Sequence, residues 1–213
     1  LKNTSFDSVF KWHKKFYQAL ELSGKPQRWL LKDPSHIGHL PEILKTYPNA
    51  KFIHIHRDPI ESVGSFCSLT KNVRLAFSKK ISTHGIGETV IDFWNHNIEK
   101  GMSDRKSLSN NQIVDIQYSE FIKNPLDHIK NTYMQLNFDM TIATENKIQN
   151  YLIKDKQILK PSHNYSLDEY GLNEKIIKSE YFASLRSVIS YKSNIFSKYS
   201  IFGQGRRGKY LAP

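Results

Sequence analysis

Two short stretches of the chain place cations and imidazoles where extended runs end. One is Lys32-Asp33-Pro34 with His36 just beyond it. The other is His56-Arg57-Asp58-Pro59, with Ser65 eight residues after the arginine. In the second stretch Asp58 reads as a helix cap, Pro59 as the first helical residue and Glu61 as the third position of a capping box. A helix that starts there turns backbone N–H groups and a partial positive charge toward Arg57. That combination makes an anion site, and phosphate is its usual occupant. Ser65 falls two turns inside the helix and can add a hydroxyl only from the face near the strand end. The plainer reading of Arg57 is a surface charge at an ordinary strand-to-helix turn, and local physics alone leaves both open.

These residues need elements to position them. Residues 28–32 are short and apolar, and Asp33-Pro34 ends them as it would end a strand. Residues 51–56 alternate, with Phe52, His54 and His56 on one face and Ile53 and Ile55 on the other. A third strand is expected over 112–117, with Ile113, Val114 and Ile116. Helical spacing covers 7–22 through Val9, Phe10, His13, Phe16, Tyr17 and Leu20, and Gly24 and Pro26 end it. Further helices are expected over 35–47, from Pro59 onward, over 88–102, after Pro125 and over 141–156. Residues 70–87 are polar, carry two glycines, and read as a mobile loop or broken helix. Strands alternating with helices imply an α/β fold with a central, mostly parallel sheet. The cations then gather at strand ends, where an open α/β sheet binds its ligand.

Length and composition set the outer limits. The 213 residues suffice for one domain with a sizeable core. No apolar run approaches the ~20 residues that span a bilayer. A single cysteine, Cys67, excludes an internal disulfide and leans toward a reducing, cytoplasmic setting; it reads as a small buried side chain. The formal charge of +11 calls for an anionic partner. No cysteine or carboxylate–histidine group shows metal-ligand spacing along the chain, so no metal is expected. A basic module for nucleic acid or another polyanion is compatible with the charge. No RNA-binding, helix-turn-helix or zinc-knuckle pattern supports it.

The run from Trp29 to Leu69 resembles the core of the sulfotransferases that use 3′-phosphoadenosine 5′-phosphosulfate (PAPS). The likeness is to their broad bacterial and tyrosylprotein-like branch, in which LKxPxH…FPxAxFxHxHRDPxxxxxS recurs. The resemblance implies a P-loop-NTPase-like α/β fold and sulfuryl transfer from PAPS to an acceptor hydroxyl or amine. It also implies that Arg57 and Ser65 hold the 3′-phosphate. The stretch IVDIQYSEFIKNPLDHI is similar to the same family and implies that Tyr118 contacts the adenine. Lys32 becomes the candidate charge near the bridging oxygen or the acceptor, and His36 the candidate base. Pro34 stands where cytosolic members place that histidine, so His36 is displaced by two.

The likeness extends over roughly residues 8–185, through KPSHNYSLDEYGL near the C-terminus, where Asn164 replaces a usual basic residue. Residues 1–185 are read as the domain, and 186–213, with Arg206, Arg207 and Lys209, as a basic and flexible tail. The family's phosphosulfate loop, G-x-P-R-S/T-G-S/T, is not found. It belongs upstream of the segment with which this chain begins, so the domain is expected to lack its first strand-loop-helix unit. A chain without that unit would hold half of the donor site, and a remnant that folds without catalysing is the third reading. The acceptor is left as a small molecule, a carbohydrate or a peptide. A basic loop over 71–80 would favour an anionic or polar one, or would only shield the cofactor.

Overall fold

The structure, a computed structural model, describes residues 5–22, 24, 28–156 and 165–179, with backbone alone at 155 and 156. Its helices include α1 (Asp7–Glu21), α2 (Leu40–Thr46), α3 (Pro59–Phe77), α4 (Thr83–Asp104), α5 (Tyr118–Phe121), α6 (Pro125–Gln135) and α7 (Ile142–Lys156), and residues 174–179 are helical as well. Its strands are β1 (Phe52–His56) and β2 (Ile113–Gln117). They pair in parallel, with Ile53 opposite Val114, His54 opposite Asp115 and His56 opposite Gln117. A parallel pair needs a long crossover, and here α3 and α4 supply it.

The expected strand over 28–32 is not one. The segment is extended, and Asp33 at its end has φ −145° and ψ 123°, but the sheet formed by the described residues contains β1 and β2 alone. An extended run becomes a strand only when its backbone groups find a ladder. The segment instead leads into a 3-10 turn, Pro34–His39, capped by the Asp33 carboxylate on the backbone N–H of Ser35. Pro41 then opens α2, where the missing proline N–H costs nothing.

Residues 70–87 follow the broken-helix alternative and not the loop, with the break at 78–82. α3 continues to Phe77, because the polar run after Thr70 contains neither proline nor glycine and its side chains are compatible with a helix. Ser82 caps α4 through the N–H of Gly85, so that helix starts five residues earlier than the 88–102 expected.

Two apolar centres organise these pieces. The larger joins Val63 and Cys67 of α3 with Ile86, Val90 and Ile91 of α4 and with Tyr170, Leu172 and Ile177. Cys67 is fully buried, and burial pushes its thiol up to about 11, as suits an inert core side chain. The smaller centre packs Val114 and Ile116 against Leu136, with Phe121 and Phe138 beside them. β2 is therefore covered on one face by α6 and on the other by the turn that follows α4. β1 is covered on its histidine face, while Ile53 and Ile55 are exposed among the described residues.

A glycine cap closes the turn at Asp168–Tyr170. Gly171 adopts φ +65°, a left-handed conformation that glycine reaches without strain, and the Leu172 N–H returns to the Leu167 carbonyl. This cap presses on α4 at Gly87, where an added Cβ would stand 2.1 Å from the Tyr170 carbonyl oxygen. Backbone cannot swing aside as a side chain can. Gly87→Ala is expected to lower the unfolding free energy by about 1–3 kcal/mol, as overpacking does. Gly24→Ala, which meets nothing within 4 Å, should stay within about 0.5 kcal/mol when both variants are unfolded in urea beside wild type.

Candidate functional site

Both strands end at residues singled out from the sequence. Arg57 follows the last residue of β1, and Tyr118 follows the last residue of β2. Parallel pairing brings the two together: the Arg57 guanidinium carbon lies 5.1 Å from the centre of the Tyr118 ring. A flat cation over an aromatic face, with 43% of the Arg57 side chain exposed, forms an open surface that suits a planar base and an anion.

The start of α3 differs from the expected anion cradle. One Asp58 carboxylate oxygen accepts from the N–H groups of both Ile60 and Glu61, at 2.8 and 3.2 Å. Pro59 has no N–H, and the Ser62 N–H is spent on the Asp58 carbonyl. The first turn therefore has no free donor to offer, and an anion here must be held by side chains. Glu61 does not close a capping box either; its carboxylate accepts from Arg57 Nε at 3.0 Å. Ser65, half-buried on α3, lies beside Gly64, over which the Tyr165 ring packs closely enough to exclude any Cβ. Tyr165 donates its hydroxyl to the Glu61 carbonyl at 2.9 Å. Tyr165 ties the C-terminal segment to the start of α3, and the sequence reading gave it no role.

Lys32 and His36 sit around a different turn. Lys32 is exposed on the extended segment, and His36 is half-buried in the 3-10 turn. Asp33 lies between them. Burial would raise its carboxyl, but bonds from Ser35 and the charges of His36 and Lys32 outweigh this and hold it below the usual range. His36 faces α1, with its ring centre 6.5 Å from that of His13 and 6.2 Å from that of Phe10. His13 in turn shares a 2.7 Å hydrogen bond with the Tyr47 hydroxyl.

Burial lowers the pKa of His13, His36 and His39, each further lowered by a neighbouring cation or imidazole and, for His36 and His39, opposed by a nearby carboxylate. A neutral imidazole at neutral pH is the form a general base needs. The same shifts fix a sign for stability. The unfolded histidines bind protons near pH 6.5, while the folded ones resist until lower pH. Stability should therefore be full above about pH 6.5 and fall as the pH drops below it through the lowered folded-state values. Thermal unfolding across that window tests this, and an unchanged midpoint would show that the three rings are solvated.

One cluster escaped the sequence reading. His54, His56 and Asp115 bring potential ligand atoms within 4.8 Å of one another. Spacing along the chain could not find it, because Asp115 comes from the neighbouring strand. A guanidinium holds the position a cation would take: Arg105 donates from Nη1 and Nη2 to the two Asp115 oxygens at 2.9 and 2.6 Å, and from Nη1 to His54 Nδ1 at 3.0 Å. His56 Nε2 donates to Asp115 at 2.5 Å. Burial alone would raise Asp115, but His56 and Arg105 outweigh it and keep the carboxyl well below the ordinary carboxylate range.

Residues 157–164 and 180–213, with Asn164 and the basic Arg206, Arg207 and Lys209, lie outside the described residues. Among the described residues, no helix is long and apolar enough to cross a membrane.

Comparison with known proteins places this arrangement. Over 84–87% of its length the chain superposes on two mycobacterial sulfotransferase crystal structures. These are STF9 from Mycobacterium avium (TM-score 0.72, 26% identity, 47% of that chain covered) and STF1 from Mycobacterium tuberculosis H37Rv (TM-score 0.71, 26%, 46% covered). The fold is thus the P-loop-like α/β fold of those enzymes. In sequence it is 24% identical over 144 residues to the omega-hydroxy-beta-dihydromenaquinone-9 sulfotransferase Stf3 of Mycobacterium bovis and of M. tuberculosis. That match takes in 67% of this chain and 35% of the relatives, so the chain spans about a third of their length. The model of the Sulfotransferase family matches residues 6–141, which include Lys32, His36, Arg57, Ser65 and Tyr118, and the chain belongs to that family.

Proposed function

We propose that the protein transfers a sulfuryl group from PAPS to a hydroxyl of an acceptor, with its nucleotide held at the ends of β1 and β2. The observation that carries this is the Arg57 guanidinium over the Tyr118 ring, at the C-terminal ends of two paired parallel strands. Open α/β sheets bind nucleotides at such ends. Arg57 fits the 3′-phosphate as a partly exposed forked donor, and Ser65 adds a neutral hydroxyl from α3. Tyr118 offers a ring face to the adenine. With the first turn of α3 already capped by Asp58, the phosphate depends on these side chains rather than on backbone N–H groups.

Bound PAPS supplies the sulfuryl group and a phosphate leaving group. The chain's own part is to orient the acceptor and to manage one proton and one developing charge. His36, kept neutral by burial, accepts the acceptor's hydroxyl proton. Lys32 lies within electrostatic reach of the same Asp33 and is placed to offset charge on the bridging oxygen. A small-molecule acceptor agrees best with the relatives. The expected basic loop is shortened to 78–82, which exposes Lys79 and Lys80; Lys71 and Arg74 stand on a helix, and Lys71 is paired with Glu169. That leaves a weaker electrostatic argument for an anionic acceptor.

The test is transfer of label from sulfur-labelled PAPS by the intact protein to a panel of hydroxylated small molecules, sugars and tyrosine peptides. Transfer that disappears in Arg57→Ala and falls in His36→Gln supports the reading. Nucleotide binding without transfer to any acceptor would count against it.

A further inference from the structure

We infer that Arg105, acting through Asp115 and His56, is a positioning residue for the nucleotide site: it fixes the two strand ends from which Arg57 and Tyr118 project. The inference rests on the nucleotide reading above and deepens it.

The connections are short. His56 is the residue before Arg57, and Asp115 stands three before Tyr118 on the strand paired with it. Asp115 accepts from both, taking His56 Nε2 on one oxygen and the Arg105 fork across the two. Arg105 has only donors, so His54 Nδ1 must accept from it and carry its proton on Nε2 instead. The His54 and His56 rings lie 4.0 Å apart, which leaves little room for either to turn. The result is a side-chain clamp across β1 and β2, anchored on the turn after α4. Arg105 itself is only 7% exposed, so its charge is withdrawn from water.

A clamp of this kind is costly unless geometry requires it. Burying ions carries a desolvation penalty that well-packed apolar residues avoid. On the other face of β2 the chain uses that apolar solution, with Val114 and Ile116 against Leu136. Among the described residues the sheet has only these two strands, a weak ladder, and a slip between them would move Arg57 relative to Tyr118. A bidentate guanidinium–carboxylate pair resists such a slip because both its distance and its direction are fixed.

The experiment is calorimetric titration of the intact protein with 3′,5′-ADP and, separately, with 5′-AMP, which lacks the 3′-phosphate. Arg105→Lys keeps the charge and loses the fork; His56→Leu leaves the Arg105–Asp115 pair and cuts the link to Arg57. Each is expected to weaken 3′,5′-ADP about tenfold while leaving 5′-AMP within about twofold. His56→Gln, which retains an N–H donor, should recover most of the loss. Combined with Arg57→Ala, neither change should cost anything more, since the contact it aligns is gone.

If Arg105→Lys fails to fold, His56→Leu and His56→Gln still decide the matter. Unchanged binding of 3′,5′-ADP overturns the positioning role, and so does an equal loss for both nucleotides, which would show general loosening. A wild type that prefers 3′,5′-ADP no more than 5′-AMP, or an Arg57→Ala variant that binds like it, overturns the nucleotide reading itself, and the positioning role falls with it.

Discussion

Asp115→Ala is expected to destabilise the protein by about 1–3 kcal/mol, the cost of leaving the buried Arg105 without its charged acceptor, reduced because Asp115 itself is partly open to water. The loss is large because of what stays behind. Arg105, with 7% of its side chain exposed, would retain its charge and lose the acceptor for two of its N–H groups. His56 Nε2 would lose its acceptor as well. The exposed Arg57–Glu61 pair gives the contrast. At 43% and 56% side-chain exposure it is screened by water, and Glu61→Ala should change stability by no more than about 1 kcal/mol. Urea unfolding of the two variants beside wild type measures the difference. Acid does not imitate the substitution at moderate pH. The depressed Asp115 carboxyl contributes stability above the unfolded carboxylate pKa and loses it only as pH falls through the lower folded one. The decline that begins below about pH 6.5 then belongs to His13, His36 and His39. A loss under 1 kcal/mol in Asp115→Ala would mean that water reaches Arg105.

Arg57→Ala is expected to reduce affinity for 3′,5′-ADP by about 10- to 100-fold, the equivalent of a charge-assisted contact worth about 1.5–3 kcal/mol. Glu61 competes for the same guanidinium through Arg57 Nε at 3.0 Å. An exposed i,i+4 pair of this kind contributes only about 0.3–0.5 kcal/mol, so a phosphate outbids the carboxylate for it. Ser65→Ala removes a neutral hydroxyl and should cost about 0.5–1.5 kcal/mol. Removal of Glu61's charge by Glu61→Gln should tighten binding slightly. If Arg57→Ala and Ser65→Ala both bind like wild type, the phosphate is held elsewhere.

Local chemistry was legible along the chain, and pairing between distant segments was not. Arg57 was readable at the end of a short alternating run and Tyr118 through the family resemblance, and parallel pairing of the two strands brought them together. The Asp58 cap was readable too, although its consequence was reversed: by satisfying the Ile60 and Glu61 N–H groups, it takes them away from an anion. Residues 28–32 have the composition of a strand, but composition cannot supply a ladder partner. Gly85 and Gly87 looked like loop punctuation. Gly87 is instead the point where the Tyr170 carbonyl meets α4, a contact between residues far apart in sequence. Asp115 could be noticed only as a carboxylate inside an apolar strand. Its meaning required the register that sets it opposite His54 and the turn that delivers Arg105.

We propose that the ends of β1 and β2 form a site for a 3′-phosphorylated nucleotide. Equilibrium binding of 3′,5′-ADP to the intact protein, with a single-stranded oligonucleotide as competitor, tests it most directly. Saturable binding that the oligonucleotide does not displace, and that Arg57→Ala weakens, is the predicted result. Tight oligonucleotide binding with no measurable uptake of 3′,5′-ADP would contradict it and assign the basic surface to a polyanion.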